Sequence, residues 1–459
     1  MLCAMVAALV AMKNGHSFEE VQRAAQGSVA SVTSAIFILL AVGALIGVWN
    51  LSGTIPTLVY YGIQLLSPGW YYAAAAIICG VVALGIGSSW TTAGTIGVGL
   101  VGIAVALDVS PEITAGAVIS GAYLGDKQSP LSETTVLSSQ MVGVDVYEHV
   151  KRQAWTSVPA FGIAVVGFTI FGLVHGTDTN VIPEDIELRA IGDVYDVTPL
   201  NLLPLVLLAV LSVRKVPASL ALTAATLFAG LCGAILQADV VEGFVDGGGG
   251  GVVDSIKAVW QAMATGFQME SGVSEVDRLV SRGGMASMLP TIWLIIGAVT
   301  FGALLDECGM IARLIDPLIG AAKSTGRLFA TVFACAFGLN LVAGDQYIAL
   351  VLPTKVFRAE FARRGLAPTN LSRLAADSGT VTSPLVPWNS CGAFMGAVLG
   401  VSALQYLPYA LFNVASPALS VLYGFTGFRI EHVAPDATVG PGDAAQQAAG
   451  TERSARERT

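Results

Sequence analysis

Apolar runs dominate the chain and recur too often for a water-soluble fold. A helix crossing a bilayer needs about 20 apolar residues. Stretches near that length occur at Ser28–Trp49, Trp70–Gly85, Val158–Val174, Leu200–Val213, Pro217–Leu236, Met288–Leu305, Gly326–Leu341 and Ala403–Tyr423. Thr91–Leu107 is apolar but rich in glycine. Met1–Met12 is short for a span, lacks a cleavage-site pattern and reads as the remnant of a first helix. Two further stretches, Pro111–Gly143 and Thr369–Gly400, have spanning length but are interrupted by polar residues and proline. The pattern predicts a polytopic membrane protein of all-α class, with about twelve transmembrane helices, two of them broken.

Composition agrees and narrows the class. Of 459 residues, 54% are hydrophobic and 12% charged, against roughly 25% charged in an average soluble protein. Lys and Arg total 23 against 32 Asp and Glu, a net charge of −9, so no basic stripe exists to hold nucleic acid. The six cysteines are scattered in apolar stretches and read as small buried hydrophobes. No nucleotide-binding loop, HExxH or GxSxG occurs, so ATP-driven transport and the common hydrolase chemistries lack their parts. The chain is not expected to be an enzyme, and no bound cofactor is expected.

Loop charges orient the chain by the positive-inside rule. Lys13, Arg23, Lys151, Arg152, Arg214, Lys215 and the Arg358–Arg373 cluster alternate with acidic loops at Asp108–Glu112, Asp178–Asp196 and Asp239–Asp254. That places the N-terminus, the Arg358–Arg373 loop and the C-terminal tail in the cytoplasm. The two halves also align. Ser52-Gly53 matches Cys308-Gly309, Gly87–Trp90 matches Ala343–Gln346, and Ser129-Pro130-Leu131 recurs as Ser383-Pro384-Leu385. Matched loops then carry opposite charge, the signature of two inverted-topology repeats. The expected organisation is a first repeat over 24–150, central helices and an external loop over 151–288, and a second repeat over 289–402. A last helix over 403–426 and a disordered cytoplasmic tail over 427–459 follow, and Gly247–Gly251 reads as a flexible loop.

The chemistry gathers in the two breaks. The first carries Asp126, Lys127 and Glu133 at membrane depth, where each charge costs at least about 2.5–3.5 kcal/mol unless it faces a cavity or a partner. Ser129-Pro130 is a helix-start pattern, with serine as N-cap and proline at the first helical position, so one half-helix should end near Gly125 and the next begin at Pro130. Asp126, Ser129, Ser132, Glu133, Thr134 and Thr135 would form an oxygen-rich nest suited to a hard monovalent cation. Lys127 would neutralise Asp126 or Glu133 when no cation is bound. In the second break Ser383-Pro384 should start another half-helix, with oxygens from Asp377, Thr380, Thr382, Ser383, Asn389 and Ser390. Asn340, Asp345 and Gln346 in one half and Ser88, Ser89, Thr91 and Thr92 in the other add to them. Asp126, Glu133 and Asp377 are the Na⁺-ligand candidates. The competing readings are a surface loop for the breaks, helix–helix packing for Ser88 and Ser89, and a helix-end carboxylate for Asp345. Glu148 and His149 read as part of a solvated interfacial helix, with a titrating pH sensor as the alternative for His149.

The run Gly121-Ala-Tyr-Leu-Gly-Asp-Lys-Gln-Ser-Pro-Leu-Ser-Glu-Thr-Thr135, followed by Gly143–His149, resembles the NhaC-type sodium/proton antiporter family. Gly344–Tyr347 and Asp377–Asn389 extend the resemblance. Where the family's usual run has aspartate, this chain has the longer Glu133. The resemblance implies a cytoplasmic-membrane protein that exchanges internal Na⁺ for external protons without a bound cofactor. It also allows exchange of organic acids such as malate for lactate.

The sequence therefore predicts a secondary antiporter working by alternating access, with Na⁺ and protons as substrates and the bilayer as its setting. Asp126 or Glu133 would carry the ion, and Asp345 or Asp377 would contribute from the other half. An organic-acid or amino-acid antiporter is the alternative, and a channel a more distant one. A homo-oligomer is left open.

Overall fold

Lipid offers backbone polar groups no partner, so apolar runs of this length must satisfy their own hydrogen bonds as helices. The computed structural model describes residues 2–175, 184–245, 251–269, 277, 280–311, 313 and 322–433. Among them every regular element is helical, apart from one isolated antiparallel bridge between Leu366 and His432. Six helices are long and apolar enough to cross a membrane, and a seventh if Ser390–Leu399 and Ala403–Tyr409, bent by 90°, count as one. Four shorter apolar helices, Leu2–Lys13, Tyr71–Ile86, Pro199–Val213 and Leu411–Thr426, accompany them among the described residues.

The chain opens with α1 (Leu2–Lys13) and α2 (Phe18–Ser31), the second started by a Ser17–Glu20 capping box. The long apolar α3 (Thr33–Leu51) and the shorter α4 (Thr54–Leu65) follow, separated by Gly53 in the left-handed region. Next, α5 (Pro68–Ile86) and α6 (Ser89–Ala106) form a hairpin. Its open end is fixed where the Tyr71 hydroxyl donates to the Leu100 carbonyl and the Ser110 N–H donates to the Tyr72 hydroxyl. Its tip at Gly87 packs on Leu131 and Ser132. A π-helical turn, Ala93–Gly97, interrupts α6.

The first broken helix is α7 (Pro111–Gln128) plus α8 (Glu133–Val142). Gly121 and Gly125 let α7 lie directly on the backbone of α5, since a Cβ at either would collide with Ala76 or Ala83. The break differs from expectation. The first half-helix runs on to Gln128, and the second starts at Glu133 with Ser132, not Ser129, as its N-cap. Pro130 lies in the turn between them. Then α9 (Val146–His175) spans 30 residues, followed by α10 (Glu184–Val194), α11 (Leu203–Val213), α12 (Ala218–Leu236), α13 (Ala238–Phe244) and α14 (Val252–Thr265). Part of the acidic loop Asp178–Asp196 and most of Gly247–Gly251 lie outside the described residues.

After α15 (Leu289–Glu307), α16 (Thr325–Val342) and α17 (Gln346–Arg363) form a hairpin whose open end is closed by Phe329 against Phe361. Its tip at Gly344 accepts a hydrogen bond of 2.9 Å from the Ser390 N–H. The second broken helix is α18 (Pro368–Ala375), a π-helical turn Ala376–Thr380, a 3-10 turn Ser383–Leu385 and α19 (Ser390–Leu399). Here too the helix starts after the expected proline: Ser383-Pro384 makes only the short turn, and Asn389 caps α19. The short α20 (Ala403–Tyr406) and α21 (Leu411–Thr426) complete the helices.

Element boundaries in the halves fall 256 or 257 residues apart. Left-handed glycines at 53, 87 and 143 match those at 309, 344 and 400, Pro111 matches Pro368, and the N-caps Ser132 and Asn389 correspond. The tail expected over 427–459 is partly ordered. The Ala367 N–H donates to the Glu431 carbonyl and the Val433 N–H to the Gly365 carbonyl, both at 2.9 Å, and Arg152 is ion-paired to Glu431. Residues 434–459 lie outside the described residues.

Candidate ion-binding site

Asp126 stands in the last turn of α7, 6% exposed. Ser89 Oγ donates to its Oδ2 at 2.7 Å, Ser132 Oγ donates to its Oδ1, and Thr134 Oγ1 lies 3.5 Å from the same oxygen. Thr135 Oγ1 donates at 3.0 Å to the carbonyls of both Asp126 and Lys127, occupying acceptors that the end of α7 leaves free. These partners explain where α8 begins. Ser132 caps the helix through its N–H groups while its hydroxyl proton serves Asp126, a double role that Ser129 is not placed to fill.

Asp126 faces a cavity of about 460 Å³. Six helix N-termini reach this cavity: those of α3 at Val32 and Ser34, α6 at Ser88 and Ser89, α8 at Glu133 and Thr134, α12 at Pro217 and Ala218, α17 at Asp345 and Gln346, and α19 at Ser390. Each N-terminus behaves as about half a positive charge. Asp126, Glu133 and Asp345 all line the same space, so the backbone offsets much of three carboxylates without a lysine or arginine in the lining. Asp345 is the N-cap of α17 and accepts from the N–H groups of Tyr347 at 2.8 Å and Ile348 at 3.0 Å. Glu133 is exposed and accepts from the Tyr347 hydroxyl at 3.0 Å.

Lys127 does not neutralise Asp126 or Glu133. Successive helical residues point about 100° apart, and Lys127 is turned away, fully buried in an ion pair with Asp377. It also donates to Ser416 Oγ at 2.8 Å and lies 5.7 Å from the Phe412 ring centre. Asp377, on the π-helical turn, further accepts from Ser416 Oγ at 2.6 Å and Thr156 Oγ1 at 3.0 Å. The expected residues thus divide between two polar networks. Asp126, Ser132, Glu133, Thr134 and Asp345 belong to the cavity, and Lys127 and Asp377 to a closed pair behind it.

The remaining expected residues brace the breaks. Ser129 is buried and its Oγ accepts from the Leu131 N–H. Ser383 donates to Gln346 Oε1 at 3.1 Å, and Asn389 donates to Asn340 Oδ1 at 3.0 Å. Asn340 in turn donates to the Gly379 carbonyl at 2.7 Å, and the Thr380 hydroxyl is buried without a protein partner. Among the described residues no group of three or more His, Cys, Asp or Glu side chains is gathered as for a metal ion. A monovalent cation as cargo would find its oxygens at Asp126 and the serines around it.

Sequence reasoning missed Thr156 and Ser416 and misplaced His149. His149 is not on a solvated face as expected: it is fully buried, with Nδ1 2.9 Å from Ser372 Oγ. Positions 149, 153 and 156 share one face of α9 and are all buried polar residues, a helical spacing that could have exposed the stripe. Glu148, beside it, is exposed as expected. Arg373, assigned to a cytoplasmic loop, is 2% exposed within α18 and donates to the Arg429 carbonyl at 3.2 Å.

The profile of the Na⁺/H⁺ antiporter family matches residues 1–153 and 121–428. The chain is 38% identical to the Na(+)/H(+) antiporter NhaC of Alkalihalophilus pseudofirmus, over 86% of this chain and 82% of that one. It is 32% identical to the malate-2H(+)/Na(+)-lactate antiporter of Bacillus subtilis, over 92% and 87%. It is 34% identical to the arginine/ornithine antiporter ArcD of Halobacterium salinarum, over 91% and 83%. With a matching profile over most of its length and relatives above 30% identity along nearly all of theirs, the chain belongs to the Na⁺/H⁺ antiporter family.

Proposed function

We propose that this integral membrane protein exchanges Na⁺ for H⁺ by alternating access, with Asp126 as the shared carrier. The observation that carries this reading is the buried Asp126 carboxylate at a helix break, held by hydroxyls and open to a cavity. An ionised carboxylate there binds a cation through its own oxygens and those of Ser89, Ser132 and Thr134. Protonation removes the charge and releases the cation, so one site serves both ions in turn. Glu133 and Asp345 draw cations into the cavity, and the Lys127–Asp377 pair ties the two broken helices together. Na⁺-dependent dissipation of a pH gradient in everted vesicles tests the reading, and absence of that response from correctly inserted protein would refute it.

The topology that fits is two inverted repeats, α3–α8 and α15–α19, supported by the shared boundary spacing of 256 or 257 residues. Each repeat has one hairpin whose tip meets the break of its broken helix. On this reading the hairpins enter from opposite faces and do not cross, leaving eight crossings in place of twelve. Both described ends then lie on the cytoplasmic side with Arg214, Lys215, Arg358, Arg363 and Arg364, as the positive-inside rule favours.

A second reading, exchange of an organic acid or amino acid, is favoured by one observation. Six helix N-termini around about 460 Å³ would suit a small carboxylate better than a bare cation requires. Counterflow with labelled Na⁺, malate, lactate and arginine separates the two.

A further inference from the structure

A second cavity, of about 420 Å³, lies toward the opposite end of α3 from the carboxylate cavity. The same three helices line both spaces. To the carboxylate cavity α3 gives Ile38, α6 gives Trp90 and α19 gives Ser390. To the second cavity they give Ile46, Val98 and Val398. Along each helix the two residues named here, among the several that line the spaces, are eight positions apart, about 12 Å at 1.5 Å per residue.

The residue halfway along each interval is Val42, Gly94 and Phe394, and these three meet. All are buried. A Cβ built on Gly94 would stand 3.1 Å from Val42 Cγ2 and 3.8 Å from Phe394 Cζ, so the backbone of α6 closes against both side chains. The Phe394 ring stacks on Trp90, with ring centres 4.1 Å apart and planes within 15°. Gly94 lies in the π-helical turn of α6, a local irregularity found often at functional sites.

We propose that Val42, Gly94 and Phe394, backed by Trp90, form a closed hydrophobic gate across the transport path, and that the second cavity is the vestibule on the far face of the membrane. The proposal rests on the transport reading above and adds to it the path's barrier and its second mouth. A layer of apolar side chains stops a hydrated ion, because passage would strip its water without replacing it. Val42, Gly94 and Phe394 have no polar side-chain groups, so drawing Val42 away from the other two breaks no side-chain hydrogen bond among the three.

Two measurements on the full chain in lipid vesicles test this. Phe394→Ala and Val42→Ala should each dissipate an imposed pH gradient several-fold faster than the unmodified protein with no Na⁺ present, because the barrier is thinned. Both variants folded and as tight as the unmodified protein would overturn the gate; Val42→Ala removes little and stands in if Phe394→Ala fails to fold. Ser34→Cys, in the carboxylate cavity, and Ala397→Cys, in the second cavity, should react with a membrane-impermeant maleimide from opposite faces, read as labelling above that of the native cysteines. Labelling of both from one face would overturn the vestibule. If the unmodified protein showed no Na⁺-linked proton movement, the exchange reading would fall, while the sidedness of labelling would still decide the path.

Discussion

Lys127 of the first broken helix is ion-paired with Asp377 of the second, 250 positions away, and neither side chain reaches solvent. Breaking a buried pair by removing one partner leaves an uncompensated charge and costs about 3–5 kcal/mol, whereas replacing both with apolar groups is often neutral. Lys127→Met and Asp377→Leu should each lower the thermal midpoint of the purified protein sharply. The double variant should recover most of the loss. Additive losses in the double variant would show that the two charges are not a unit.

Asp126→Asn should abolish Na⁺-driven proton movement while leaving the melting temperature close to that of the unmodified protein, because the amide keeps the shape and still accepts from Ser89 through its oxygen. Wild-type exchange rates in this variant would remove Asp126 from the mechanism.

Ser132→Ala removes an N-cap and a donor to Asp126 in one step. The cap alone is worth about 0.5–2 kcal/mol, and the lost donor leaves the carboxylate with Ser89 as its main partner. The expected outcome is lower stability together with a higher half-saturating Na⁺ concentration. Ser129→Ala, which removes only a turn contact, should leave the Na⁺ dependence in place.

Competition for one carboxylate fixes the sign of the pH response. Lowering the pH on the side facing the cavity fills the site with protons, so the half-saturating Na⁺ concentration should rise, approaching about tenfold per pH unit once protonation dominates. Initial rates at several Na⁺ concentrations and pH values measure this. A half-saturating concentration independent of pH would mean that separate groups carry the two ions.

Gly125→Ala places a methyl against the backbone of Ala83 and Leu84 in α5. Forced overpacking costs typically about 1–3 kcal/mol, and here it also pushes α7 away from the hairpin that supplies Ser89. Reduced expression and reduced Na⁺ affinity should appear together.

The sequence and the structure part company at identifiable places. The helical membrane class, both breaks and the placement of Asp126 in a polar nest are legible because charge and proline within an apolar stretch of spanning length are costly in lipid unless they sit at a break lined by polar groups. The start of α8 is not, since Ser129-Pro130 and Ser132-Glu133 are both good helix starts and the choice falls to Gly87 packing on Leu131 and Ser132. The partner of Lys127 is equally hidden: local spacing points to Asp126 and Glu133, while tertiary packing supplies Asp377. His149 looks solvated because Glu148 and Lys151 flank it, and only the packing of α9 on α18 buries it.

The π-helical turns at Ala93–Gly97 and Ala376–Thr380 give a last consequence. A π turn is an α-helix carrying one residue too many. Deleting a single residue from either turn would rewind the helix and swing everything beyond it by about 100°. Gly94 would leave Val42 and Phe394, or Asp377 would lose its register with Lys127. The central contacts of this transporter therefore depend on residue count as strictly as on residue identity. Point substitutions should be tolerated at many positions in these turns where no one-residue deletion is.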